Sequence, residues 1–176
     1  MKSDIIRIDN QGNGFQNVLT ATEKVAQYRA LDHKEELRLT LCAEEMLSLV
    51  RSITGEMEAS FWIESEGKQF DLRLTTRTVM DREKRKLLID SASSRKNEAA
   101  KTFLGRLRDA FEEAMAAEAH PGDDIPVEIM GDMANRSIES GEWDQYEQSI
   151  LRKAADQIRI AIRGGVVEMT VTARFS

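Results

Sequence analysis

Two stretches of the chain alternate apolar and polar residues and double back at a glycine. Residues 58–65 and 69–78 flank the loop "EGK", and the stretch "IRIAIRGGVVEMTVTARF" turns at Gly164-Gly165. Alternation of this length indicates a strand with one buried face, and short glycine-containing loops join antiparallel strands. The sequence therefore predicts two β-hairpins. In the second, one apolar set should face the other or its neighbours: Ile158, Ile160 and Ile162 against Val167, Met169 and Val171.

Helical spacing of apolar residues predicts the remaining elements. A helix is expected from Phe15 to about Leu31, after a short β-branched strand at residues 4–9. Asp32 and Glu35 have the spacing of a capping box, so a second helix should begin there and run to about Ile53, with Gly55 as its stop. Further helices are predicted at residues 82–91, 97–118 and 143–157.

This order of elements is typical of an α+β fold, with helices grouped on one face of an antiparallel or mixed sheet. We expect residues 1–176 to form one domain with a helical insert at residues 79–144. In the insert, the 97–118 helix has an apolar stripe that includes Phe103, Leu107 and Phe111. The stripe could fill a pocket, or it could form a homodimer or partner surface.

Composition restricts the function. The net charge of −6 disfavours sequence-independent nucleic-acid binding, which depends on excess Lys and Arg, and favours protein or small-molecule partners. No run approaches the roughly 20 apolar residues of a membrane helix, and no signal peptide is recognisable, so a cytoplasmic location is expected. Cys42 has no partner cysteine and should be a small buried apolar residue.

The second helix contains two adjacent glutamates. At about 100° per residue, Leu39, Cys42, Met46, Val50 and Ile53 gather on the side that should pack in the core. Glu44 projects nearly opposite the core and should be solvated. Glu45 and Leu49 lie together on the shoulder of the apolar stripe, so Glu45 is either a boundary residue paired with a nearby cation or a catalytic group.

Three segments carry a resemblance to a known family. "LRLTLCAEEMLSLVRSITG" resembles the second helix of the GHKL ATPase domain, which anti-sigma-factor serine kinases share with histidine kinases, gyrase and Hsp90. "ILRKAADQIRIAIRGGVVEMTVTARF" is similar to the last helix and hairpin of the anti-sigma kinases, and "GKQFDLRLTTRT" matches a strand of the same domain. The likeness covers roughly residues 1–78 and 146–176, and it implies a two-layer α/β sandwich with a mixed, mostly antiparallel sheet.

The resemblance also places the family's functional residues on this chain. Glu45 takes the position of the general base, and Leu49 that of the asparagine that binds magnesium. Thr76 takes the position of the adenine-binding aspartate, and Thr78 that of the glycine after it. The family's Gly-x-Gly falls on "QYEQ", residues 145–148, which contains no glycine.

These departures weaken the case for nucleotide chemistry. Magnesium prefers oxygen ligands, leucine offers none, and phosphoryl transfer depends on the metal. We therefore expect a regulatory or protein-interaction module that has lost or weakened ATP and magnesium binding, with a sigma-factor-like or antagonist-like protein as partner. One alternative is an ATP-binding serine/threonine kinase that uses Glu45 and divergent motifs. Another is a small-molecule sensor that uses the remodelled pocket.

Overall fold

The computed structural model describes residues 1–55, 58–100, 112 and 150–176. Its elements in chain order are β1 (Ile6–Ile8), α1 (Phe15–Tyr28), α2 (His33–Thr54), β2 (Ala59–Glu66), β3 (Gln69–Arg77), α3 (Arg82–Ser91), a 3-10 turn (Glu98–Ala100), β4 (Gln157–Arg163) and β5 (Val166–Arg174). Residues 150–154, directly before β4, are helical. Most of the expected insert and of the 97–118 helix, and the "QYEQ" segment, lie outside the described residues.

The strands form one five-stranded sheet in the order β1-β2-β3-β5-β4. Every pairing among these strands is antiparallel, so the described part of the sheet has no parallel pair. Both predicted hairpins are confirmed. In the second, Ile158, Ile160 and Ile162 pair with Val171, Met169 and Val167, as the alternation predicted. The α+β prediction is confirmed at this level.

The sheet has one apolar face and one polar face. The register aligns apolar side chains across the strands, as in the buried row Phe61, Leu74, Met169 and Ile160. These residues share one core cluster with the buried residues of α1, α2 and α3. We call this helix-covered side the inner face and the opposite side, which carries polar residues at alternate positions, the outer face.

Helix α2 begins and ends where the sequence predicted. The Asp32 carboxylate accepts from Glu35 N at 2.8 Å, and the Glu35 carboxylate accepts from Asp32 N at 2.9 Å, which completes a capping box. Gly55 ends the helix at φ 76°, a backbone conformation that favours glycine. The five predicted core positions of α2 are all buried, Glu44 is exposed and Glu45 is half-buried. The helical-wheel prediction is therefore confirmed for these positions, whereas Leu49, which it placed on the shoulder beside Glu45, is fully buried.

Two predicted helix ends are wrong. Helix α1 stops at Tyr28 because Leu31 N bonds to Ala26 O and Ala30 N to Gln27 O, both at 3.0 Å, a pattern that closes a helix. The last helix stops at residue 154 rather than 157. There Arg38 Nε donates to Ala154 O at 2.7 Å, and Asp156 N joins the sheet through Thr172 O at 2.9 Å. Arg38 thus ties α2 to the start of β4.

Two residues of the segment after α3 form hydrogen bonds with the backbone of β4, which is the last strand in the order of the sheet. Ser93 N donates to Ile158 O, and Ile158 N donates to Ser93 Oγ, both at 2.8 Å. The buried Asn97 amide repeats this exchange with Ile162, at 3.0 and 2.8 Å. Satisfied backbone groups on an edge strand reduce its tendency to pair with another chain.

Cys42 should make stability fall at alkaline pH. Its side chain is fully buried, and this burial raises the pKa of its thiol to about 12. In the unfolded chain the thiol ionises near its ordinary pKa of about 8.5, so the folded state loses relative stability as the pH rises from there towards about 12. Urea unfolding between about pH 8 and about pH 11 should show a steeper loss for the wild type than for Cys42→Ala. If stability falls equally steeply with pH in the two proteins, the raised pKa of the Cys42 thiol is contradicted.

Candidate functional site

Leu49 lies where the resemblance implies a metal ligand, and it is fully buried in the core cluster. Its neighbours on α2 use their hydroxyl groups within the helix: Ser52 Oγ donates to Leu49 O at 2.9 Å, and Thr54 Oγ1 donates to Val50 O at 2.7 Å. The Leu49 side chain itself presents only carbon and hydrogen. This part of α2 is built for packing against the sheet.

Thr76 occupies the inner face of the sheet and is 2% exposed. In the register it stands between Ala59 on β2 and Val167 on β5. Its hydroxyl donates to Glu58 O at 2.8 Å, so its one donor is already used. An uncharged oxygen that is committed in this way is a weaker acceptor for an adenine amino group than a carboxylate would be.

Thr78 follows β3 and is joined to the turn between β4 and β5. Its backbone N donates to Gly165 O at 2.9 Å. A Cβ atom on Gly165 would lie only 2.6 Å from Thr78 O, so this close approach of two backbones requires glycine. The hairpin turn is therefore held against the end of β3.

A groove of about 730 Å³ lies beside Thr78, and we call it the Thr78 groove. The groove is lined by Thr54, Gly55, Arg77, Thr78, Val79, Lys84, Gly165 and Val166. Two of these residues are cationic and none is acidic. The Lys84 ammonium is partly engaged, because it donates to Val79 O at 3.2 Å and lies 3.8 Å from the Asp81 carboxylate.

A second groove, of about 670 Å³, follows the end of β1, and we call it the Asp9 groove. Its lining combines Arg7 and Arg77 with Asp9 and Glu58 and has several uncharged polar groups. The Asp9 carboxylate accepts from Gln11 N and Asn13 N at 2.9 Å and from Asn13 Nδ2 at 2.7 Å. The Asn13 side-chain amide is the main cause of the lowered pKa of Asp9.

Neither of these two grooves, both formed by described residues, brings together the residues placed by the resemblance. Thr76 lines the Asp9 groove and Thr78 lines the Thr78 groove, whereas Glu45 and Leu49 line neither. Arg77, which lines both grooves, was not predicted as a site residue. The only signal in the sequence was its place among the polar positions of β3, which does not distinguish a solvated arginine from a ligand-binding one.

Comparison with known proteins finds no family model that matches this chain and no curated protein similar to it. Among the described residues, no three His, Cys, Asp or Glu side chains form a group that could hold a metal ion. None of the described helices has the length and apolar content needed to cross a bilayer.

Introducing an asparagine at position 49, as the resemblance would place it, should destabilise the protein. Leu49→Asn removes a buried isobutyl group and places an amide among apolar side chains, so we expect a loss of about 3–5 kcal/mol in the free energy of unfolding. Leu49→Met keeps the volume and should cost less than about 1.5 kcal/mol. Urea denaturation of both variants measures the difference. A Leu49→Asn protein as stable as Leu49→Met would mean that a polar pocket is available at this position.

Proposed function

We propose that this protein is a regulatory or protein-interaction module built on a GHKL-like scaffold, and that it has lost or weakened ATP and magnesium binding. It acts in the cytoplasm through a protein partner of the sigma-factor or antagonist type. No cofactor is needed for this role. The proposal depends mainly on one observation: Leu49, at the position of the family's metal ligand, is fully buried in an apolar core.

The chemistry of nucleotide binding supports this choice. A triphosphate needs a cation to offset its charge, and magnesium takes oxygen ligands in near-octahedral geometry. Around Leu49, the side of α2 that faces the core carries buried apolar side chains, which include Met46 and Val50, and not oxygen ligands. The Thr76 hydroxyl is committed to Glu58 O. Two of the contacts that the resemblance implies are thus replaced by packing and by an internal hydrogen bond.

An active serine/threonine kinase is the less favoured alternative. Glu45 would be its general base, and a base must come within hydrogen-bond reach of the proton that it removes. Glu45 is half-buried on the shoulder of α2 and lines neither groove. Phosphoryl transfer depends on a metal for electrostatic support, and Leu49, at the position of the family's metal ligand, offers no oxygen atom.

A small-molecule sensor has one observation in its favour. The Thr78 groove, at about 730 Å³, lies in the volume range of roughly 300–1,000 Å³ that is usual for ligand pockets. Its Arg77 and Lys84 side chains would favour an anionic ligand. A sensor of this kind would also lack the magnesium site, and it differs from the proposed module only in that its partner is a small molecule instead of a protein.

Calorimetry and thermal unfolding with ATP and magnesium test the proposal. A ligand at about 500 times its dissociation constant stabilises the folded state by about 3.7 kcal/mol, which raises Tm by several degrees. We expect that about 5 mM MgATP leaves Tm unchanged within about 1 °C and gives no saturable heat.

The matched variant is Glu45→Ala, which should behave like the wild type in these experiments. A magnesium-dependent rise in Tm that Glu45→Ala alters would favour the kinase. A rise with ATP alone that the charge-removing variant Arg77→Gln abolishes would instead favour the sensor.

A further inference from the structure

The outer face of the sheet carries its charges in rows that run across the strands. One row contains Trp62, Arg73, Thr170 and Arg159, and we call it the arginine row. The next contains Glu64, Asp71, Thr172 and Gln157, and we call it the carboxylate row. A basic row thus lies directly beside an acidic row at the centre of the sheet.

Contacts between the two rows, and one within the carboxylate row, hold these side chains in place. Arg73 Nε lies 2.8 Å from Glu64 Oε2, and Arg159 lies 3.6 Å from the Asp71 carboxylate. Thr172 Oγ1 donates to Asp71 at 2.6 Å, and Trp62 Nε1 donates to Glu64 at 3.0 Å. The side chains of Arg73, Glu64 and Arg159 remain 35–37% exposed. A surface that is already ordered loses less conformational entropy when it binds a partner.

The rows on either side of this pair also carry opposite charges on β5. Ser60, Thr75, Glu168 and Ala161 lie beyond the arginine row, and Glu66, Gln69 and Arg174 lie beyond the carboxylate row. Glu168 is exposed, and no described residue pairs with its charge. Arg174 is also exposed, and its Nε donates to Gln69 at 3.1 Å. The two residues carry opposite charges at opposite ends of β5.

This arrangement is complementary to itself under two-fold symmetry. Consider a second sheet laid face to face on the first, with a two-fold axis that runs across the strands over the row Ile63, Leu72, Val171 and Ile158. The axis reverses each strand, so the arginine row of one copy lies over the carboxylate row of the other. Arg73 then lies over Asp71, and Thr170 lies over Thr172. Glu168 lies over Arg174, and within β2 to β5 no two like charges meet.

The twist of real sheets is compatible with these pairs. Packed sheets are rotated by about 30° relative to each other. Glu168 and Arg174 each lie three residues, or about 10 Å, from the axis along β5, so the rotation separates them laterally by only about 5 Å. Glutamate and arginine side chains are long enough to span that offset.

The size of the surface sets the expected affinity. The four strands β2 to β5, about 4.8 Å apart, over four rows about 6.7 Å apart, cover about 500 Å² on each copy. A total near 1,000 Å² is at the lower limit of specific interfaces. The charged groups would need partial desolvation, so the contact should be weak and sensitive to salt.

We propose that the outer face of the sheet binds a second copy of this chain, with the arginine row of each copy over the carboxylate row of the other. Charge complementarity selects this occupant, because one register satisfies both copies at once. The inference goes beyond the function proposed above and does not depend on whether nucleotide binds.

A charge swap between Glu168 and Arg174 tests the proposal. Within one chain these residues are six positions apart on β5, or about 20 Å, so they cannot contact each other. Glu168→Arg should place two arginines together in the dimer, and Arg174→Glu should place two glutamates together. Each should raise the dimer dissociation constant at least about tenfold. The double variant should restore it to within about threefold of the wild type.

Sedimentation velocity at concentrations up to about 200 µM and at low and high salt provides the measurement. Glu44→Arg, which makes the same charge change on the exposed side of α2, should leave the dimer unchanged, and circular dichroism should show that every variant is folded. A dimer that both single variants weaken and the double variant restores supports the proposal. A wild type that stays monomeric, or a double variant that stays as weak as the single variants, overturns it.

Discussion

The packing of α2 against the inner face of the sheet is the constraint on which the rest of the structure depends. Nine of the positions on this helix are buried, and they meet a sheet whose register brings apolar residues from all five strands to one side. Apolar burial is the main favourable term in folding, and protein interiors are closely packed. A side chain at this contact must therefore be apolar and must fit the shape of its neighbours. Leu49 is such a position. A packed core and a metal site cannot occupy the same place.

Much of the fold follows from local patterns in the sequence. The capping box at Asp32 and the glycine at position 55 fixed both ends of α2, since each satisfies backbone groups at a helix end. The alternation around Gly164-Gly165 predicted the turn and the inward-facing residues of the last hairpin, because a one-residue slip would turn every isoleucine of β4 outward. These features depend on contacts between residues that are close in sequence.

The features that were predicted wrongly or missed depend on contacts between distant residues. The last helix ends early because Arg38, 116 residues away in sequence, caps the carbonyl of Ala154. The Thr78 groove forms where the ends of α2 and β3 meet the final hairpin, and the Asp9 groove forms beside β1, β2 and β3. The place of Arg77 in both grooves could therefore not be predicted from the alternation of β3. The rows of the outer face likewise appear only once the strand order is known. Periodicity shows which residues face outward, but it does not show which residues are neighbours.

The central claim is that the inward side of α2 packs in the core and does not bind a nucleotide. Titration of isotope-labelled protein with ATP and magnesium, followed by amide NMR, tests it residue by residue. The account predicts that the amide signals of residues 45–55 and 76–78 stay unshifted up to about 5 mM nucleotide. Saturable, magnesium-dependent shifts at Glu45, Leu49 and Thr76 together would contradict it.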